Sequence, residues 1–212
     1  MKFSIEKPCN CGGRYVFSAY GDGDFGAAVC DKCGESAHLI NPPSVSVTAE
    51  RLLYRSKAEL ENGDYSLAIV IAVMAIESFL TRLYLKLNGM DSYMSTFTFP
   101  TAAQESDWEK EYPRSGGFSS PVGFVSKRLV GSTFDEFVTA NATASAIFSG
   151  LPNPTGNTPT QYFQSELFNR RNRIAHWGYV DSNQGEAELC HKIAVAVVAI
   201  LREMDRAKYG NL

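Results

Sequence analysis

The chain has no surplus of positive charge. Twenty lysines and arginines face 23 acidic residues, for a formal charge of −3 and a pI near 5.7. That excludes a protein that coats a polyanion with its whole surface, so any contact with nucleic acid has to come from a local basic patch. An uninterrupted apolar run of membrane-spanning length is also missing. The most apolar stretch, Leu67 to Leu80, contains Glu77 and is followed by Arg82 and Lys86. A buried helix suits that pattern better than a span, and no membrane partner is expected. Met1 to Cys11 is polar and mixed in charge, without the apolar stretch and small-residue cleavage site of a secretory signal. No internal repeat or low-complexity tract is present. A disulfide framework is lacking too, because the five cysteines fall into two close pairs and one isolated residue. Such spacing belongs to metal binding in a reducing compartment, and the cytoplasm is the expected location.

What is present suits one packed domain and a small appendage: 212 residues, 44% of them hydrophobic. Residues 1–41 hold four cysteines and six of the seventeen glycines. Stretches such as Arg14-Tyr15-Val16-Phe17 and Gly26-Ala27-Ala28-Val29 read as short strands between glycine turns. Asn41-Pro42-Pro43 marks a boundary. From there the period becomes helical, with Thr48 as the expected first cap and Leu52, Leu53 and Leu60 on one face. Asn62-Gly63 closes this helix and Asp64 caps the next, which reaches about Leu87 and is apolar on all sides between Leu67 and Met74. Two short helices are expected from Ser120-Pro121 and from Thr133, and 149–159 reads as a loop. A third long helix runs from Thr158-Pro159 to about Ala175, and the last from about Gly185 to Ala207. The expectation is a mainly α domain over 48–212, with an insertion at about 90–157, preceded by a small β unit.

In the β unit Cys9-Asn-Cys11 and Cys30-Asp-Lys-Cys33 are separated by eighteen residues, and each pair is followed by glycine. Zinc takes four soft ligands in a tetrahedron, and two tight turns each supply two thiolates at little entropic cost. The spacing resembles a zinc ribbon, with C-x-C in place of the commoner C-x-x-C in the first knuckle. Structural zinc is the expected cofactor; reduced thiols or a redox pair are the alternatives. Four cysteine ligands leave no open coordination position, so no catalytic metal is expected. Arg14, Tyr15 and Tyr20 are available for RNA or a protein partner, or the unit only staples the N-terminus. His38 is read as a strand or surface residue rather than a fifth ligand, and Cys190 as a small core residue.

The run Asn169-Arg170-Arg171-Asn172-Arg173-Ile174-Ala175-His176 concentrates chemistry. Cleaving RNA without a metal needs a base for the 2′-hydroxyl, an acid for the leaving 5′-oxygen and a cation for the phosphorane. Histidine serves either proton transfer near neutral pH, and arginine grips phosphoryl oxygens through its fork. Asn172 and His176 share a helix face, whereas Arg171 stands about 140° from His176 and has to reach around, or the helix has to distort near Trp177-Gly178. Arg170, Arg171 and Arg173, with Arg82 and Lys86 from the central helix, form the expected local basic patch. As an isolated pattern, the same residues also describe a solvated helix with a histidine at its C-terminal end.

Arg171, Asn172 and His176 near the end of the third long helix, the central helix with Ala75-Ile-Glu77-Ser-Phe-Leu80, and the amphipathic last helix together resemble the HEPN superfamily. The likeness covers about 48–88 and 158–208. It implies a small helical bundle that forms homodimers, in many members a metal-independent RNase whose two motifs face each other, and an association with toxin–antitoxin and antiviral defence systems. It implies His176 as acid/base, Arg171 as the phosphate-stabilising residue, Asn172 as their polar partner and Glu77 as the acidic residue of the central helix. One motif carries one histidine, so a dimer supplies both an acid and a base. The leading expectation is therefore a dimeric endoribonuclease acting as a toxin or defence effector, with RNA and an antitoxin or defence-system protein as partners. A non-catalytic HEPN-type RNA- or nucleotide-binding module is the alternative. A DNA-binding regulator working through the ribbon lacks a recognition helix.

Overall fold

The computed structural model describes residues 2–20, 27–38, 45–87, 117–153, 156–177 and 182–210. These are mostly helical, with a small antiparallel β unit at the N-terminus. In that unit β1 (Lys2–Pro8) pairs with β2 (Arg14–Tyr20), and β3 (Ala27–Val29) pairs with β4 (Ser36–His38). Side chains alternate across the sheet as the two-residue period requires: Phe17 and Ala28 are buried, Val16 and Val29 exposed. The amide of Asp31 donates to the carbonyl of Arg14 (3.1 Å), joining the two hairpins. The expected strand at 14–17 is thus present, that at 26–29 is present over the described Ala27–Val29, and β1 adds a strand in a segment whose mixed polarity gave no sign of one.

The helical part comprises α1 (Val45–Glu61), α2 (Tyr65–Leu87), α3 (Ser119–Val130), α4 (Phe134–Ala140), α5 (Ala142–Ser149), α6 (Pro159–Phe163), a π turn (Gln164–Phe168), α7 (Asn169–Trp177) and α8 (Gln184–Tyr209). α1 begins at Val45, so Thr48 lies inside the helix and does not cap it. Gly63, at φ +83°, turns the chain between α1 and α2, and the Asp64 carboxylate accepts from the Leu67 amide (3.1 Å) as an N-cap. Capping boxes start α4 (Thr133 with Glu136), α6 (Thr158 with Gln161) and α8 (Asn183 with Glu186).

α2 is the central helix. It is the one helix among the described residues long and apolar enough to cross a membrane, yet Ala68, Ile69, Val73, Ile76, Phe79, Leu80 and Leu83 are buried in a protein core with residues of α8. The segment expected as an insertion divides: 90–116 lies outside the described residues, whereas 117–151 supplies Phe118, Val122, Leu129, Phe134 and Val138 to that same core. Phe118 meets Phe134 and Phe163 edge to face, at 5.5 and 5.6 Å between ring centres. This part is core, because its aromatics fill the space between α2, α8 and the α6–α7 helix.

Candidate functional site

The four clustered cysteines come together. Their sulfurs all lie within 4.8 Å of one another, with Cys9 to Cys33 at 3.7 Å and Cys11 to Cys30 at 3.5 Å. A tetrahedral site with metal–sulfur bonds of about 2.3 Å separates its sulfurs by about 3.8 Å. Each knuckle is a tight turn. Cys9 N donates to Gly13 O (2.8 Å) and Gly12 N to Cys9 O (2.9 Å); Cys30 N donates to Glu35 O (2.9 Å) and Gly34 N to Cys30 O (3.1 Å). Gly12 and Gly34 carry these turns at φ +79° and +73°. Gly13 is required for a second reason. A Cβ there would stand 2.6 Å from Lys32 Cβ and 2.7 Å from Cys30 Sγ, so the first knuckle packs its backbone directly on the second.

One sulfur of each knuckle also accepts an amide from two residues further on: Cys11 from Gly13 (3.4 Å) and Cys30 from Lys32 (3.5 Å). Donors aimed at sulfur favour the thiolate. The Tyr15 hydroxyl lies 3.4 Å from Cys9, and with the Cys11 amide it holds that thiol down at about 6. The Gly13 amide lowers Cys11, but neighbouring Cys9 and Cys33 outweigh it and push that thiol up to about 12. Four sulfurs this close ionise together only around a cation. The clustering of Cys9, Cys11, Cys30 and Cys33 is compatible with a structural metal site. His38 sits on β4, and Arg14 is held by Glu6 and Asp31, both at 3.2 Å.

The second candidate is α7. Arg170 is clasped between Glu166 (2.9 Å) and Glu186 (2.5 Å), which fastens the π turn and α7 to the start of α8. Arg171 donates to Glu77 of α2. Ile174 packs against the core. These three residues define the buried side of α7. Asn169, Arg173 and His176 are exposed, and Asn172 is half-buried. Asn172 and Arg173 lie about 40° and 60° from His176 around the helix axis, on either side of it, while Arg171 is about 140° from His176. No distortion brings Arg171 round. The helix stays α from Asn169 to Trp177, and its irregular turn lies before the motif; Gly178 is outside the described residues. Among those residues neither Asn172, Arg173 nor His176 has a side-chain hydrogen bond or ion pair.

Burial raises the pKa of Glu77, and the charge of Arg171 opposes the rise without cancelling it. The remaining expected RNA-binding residues, Arg82 and Lys86, are on α2. Lys86 is nearly buried, paired with Asp205 of α8 (2.7 Å) and over the Tyr209 ring (4.0 Å), so its charge is spent inside the fold. Arg82 lies over Phe79, 5.4 Å from the ring centre. Cys190 is buried, its thiol donating to the Glu166 carbonyl (3.3 Å), and burial pushes its pKa up to about 12. The Glu166–Arg170 pair has the i,i+4 spacing of a helical ion pair and was readable in advance; Glu186 and the Tyr15–Cys9 contact had no local signal. Neither a family model, a curated protein nor a solved structure matches the chain.

Proposed function

We propose that the chain is a metal-independent endoribonuclease of the HEPN type, acting as a homodimer in the cytoplasm as a toxin or antiviral defence effector. The observation that carries this reading is the exposed face of α7, where His176 and Asn172 stand together on a helix fastened to α2 and α8 by Arg171 and Arg170. A rigid helix that leaves an imidazole and an amide facing solvent suits a surface-bound polymer substrate. His176 takes the proton from the 2′-hydroxyl or delivers one to the leaving 5′-oxygen, and its counterpart in a second copy performs the other transfer. The cysteine site holds zinc, which fixes the N-terminal unit and takes no part in cleavage.

The test is cleavage of end-labelled RNA with EDTA in place of Mg²⁺, beside a His176→Ala variant. Products ending in 2′,3′-cyclic phosphate, absent with the variant, support the reading; intact RNA with the wild-type protein ends it. One observation favours a second reading, a non-cleaving RNA- or nucleotide-binding module: Glu77 already neutralises Arg171. Binding of RNA by wild type and His176→Ala alike, without cleavage by either, selects that reading.

A further inference from the structure

The geometry points to Arg173, not Arg171, as the cation that meets the phosphate beside His176, with Arg171 as a positioning residue. This rests on the reading of α7 as an RNA-cleaving helix and assigns a role within that site.

Three arginines lie in the motif, and their surroundings separate them. Arg170 has a carboxylate on either side, Glu166 and Glu186. Arg171 is paired with Glu77 on α2 and stacks toward Phe168, 5.9 Å from its ring centre. A guanidinium that already holds a carboxylate must break that pair to take a phosphoryl oxygen, leaving the carboxylate facing the incoming anion. Arg173 is exposed and has no ion pair among the described residues. Its position matters as much. Arg173 and His176 are three residues apart on an unbroken α-helical segment and are therefore surface neighbours, about 60° apart, with Asn172 on the other side of His176. Arg171 and His176, about 140° apart, cannot touch one group while Arg171 stays on α2. A small cleft of about 20 Å³ beside Arg173, lined also by Arg170, Ser182 and Glu186, places the polar start of α8 next to it.

The roles follow. A phosphodiester lying along the exposed face meets the Arg173 fork at its non-bridging oxygens while His176 reaches the 2′- or 5′-oxygen. Arg171 acts only through the orientation of α7.

The test compares wild-type protein with Arg173→Ala, Arg173→Lys and Arg171→Gln, using a fluorescein-labelled single-stranded RNA 12-mer. Binding is read by anisotropy across a KCl series, cleavage by single-turnover rate at saturating protein, and folding by the melting transition. Arg173→Ala is expected to melt as wild type does, to lower the magnitude of the log K against log salt slope by about 0.7, and to cut the saturated cleavage rate by about 100-fold. Arg173→Lys keeps the charge and so keeps the slope, but cleaves more slowly because it lacks the fork. Arg171→Gln lowers the melting temperature and keeps the wild-type slope. The assignment is overturned if Arg173→Ala retains the wild-type slope and rate. It is equally overturned if Arg171→Gln loses slope and rate while melting normally. Failure of the underlying reading looks different: wild-type protein then neither binds nor cuts the RNA, and the assignment goes with it.

Discussion

Arg171 of α7 and Glu77 of α2 are 94 positions apart in sequence and joined by a charge-assisted hydrogen bond. The pair is asymmetric. The Glu77 side chain is 45% exposed and that of Arg171 24%, and burial still raises the carboxyl pKa against the pull of the cation. Loss of the two partners should therefore not be equivalent. Glu77→Gln is expected to cost under about 1 kcal/mol, because the amide still accepts from Arg171 and the pair is open to solvent screening. Arg171→Ala leaves a half-buried carboxylate alone and is expected to cost about 1–2 kcal/mol at pH 7.5. A raised carboxyl pKa means that the folded state binds the proton more readily than the unfolded one. The Arg171→Ala deficit therefore shrinks as pH falls toward the Glu77 pKa and grows as pH rises above it. Urea midpoints at pH 5 and 7.5 check this; equal deficits for both variants, independent of pH, would contradict it.

His191 gives the opposite pH dependence. Its Nδ1 lies 3.1 Å from Ser56 Oγ, and that hydroxyl donates to the Ala68 carbonyl (2.8 Å), joining α1, α2 and α8 in one buried junction. With its proton committed to Ala68, Ser56 accepts from an Nδ1–H tautomer of His191. Burial, then the nearby charge of Lys57, lowers the imidazole pKa below its ordinary value. The unfolded chain thus takes up a proton in a pH range where the folded one does not. The stability this contributes is present above the ordinary histidine pKa of about 6.5 and is lost as pH falls through and below it. Between pH 7.5 and 5.5 the urea midpoint should fall in the wild type and fall less in His191→Gln. An identical pH dependence in the two proteins would remove His191 as its source.

At the cysteine site, one zinc per chain is expected by elemental analysis of protein purified under reducing conditions, falling to near zero in Cys30→Ser. Gly13→Ala provides a sharper test because it changes no ligand. The added methyl has to displace Lys32 Cβ and Cys30 Sγ, both under 3.0 Å away, and so pushes the knuckles apart. Zinc affinity in competition with a chromogenic chelator should drop at least tenfold, about the lower limit for disturbing the support of metal ligands. Wild-type affinity in Gly13→Ala would show that the two knuckles do not share a metal.

The features legible in the sequence were those with a local signature. Asp64, Thr133 and Thr158 announce helix starts because their side chains reach their own helix amides, and Cys9, Cys11, Cys30 and Cys33 announce a cluster because glycine turns follow each pair. What stayed hidden depends on partners distant in sequence. Nothing near Lys86 says that Asp205 will take its charge, and nothing near Arg170 says that Glu186 will. Phe118 and Phe134 look like residues of an appended segment until Phe163 and Phe168 close around them. α1 runs through Val45-Ser46-Val47, where β-branched residues argue weakly against a helix. The π turn has no sequence signature at all.

That turn sets which arginine faces which partner. A π turn holds one residue more than the α turn it replaces, so Gln164–Phe168 sets everything after it back by about 100° relative to a continuous α-helix. With this extra residue Arg170 meets Glu186, Arg171 meets Glu77, and His176 and Arg173 face outward. Gln164 anchors the turn, its Oε1 accepting from the Phe118 amide (2.6 Å) and its Nε2 donating to Asn169 (3.0 Å). Deletion of Ser165, whose hydroxyl donates to the local Tyr162 carbonyl (3.0 Å), should convert the turn to α geometry. Either α7 then rotates and both arginine pairs part, or the preceding Tyr162 and Phe163 leave their core positions. Each route breaks more than one part-buried or core contact, so the cost is expected to exceed about 2 kcal/mol, well beyond that of an ordinary surface substitution. Ser165→Ala keeps the residue count and should stay within about 1 kcal/mol of wild type. Thermal and urea unfolding of the two variants separates the length of the turn from its chemistry. A deletion variant as stable as Ser165→Ala would show that the π turn does not set the register of α7.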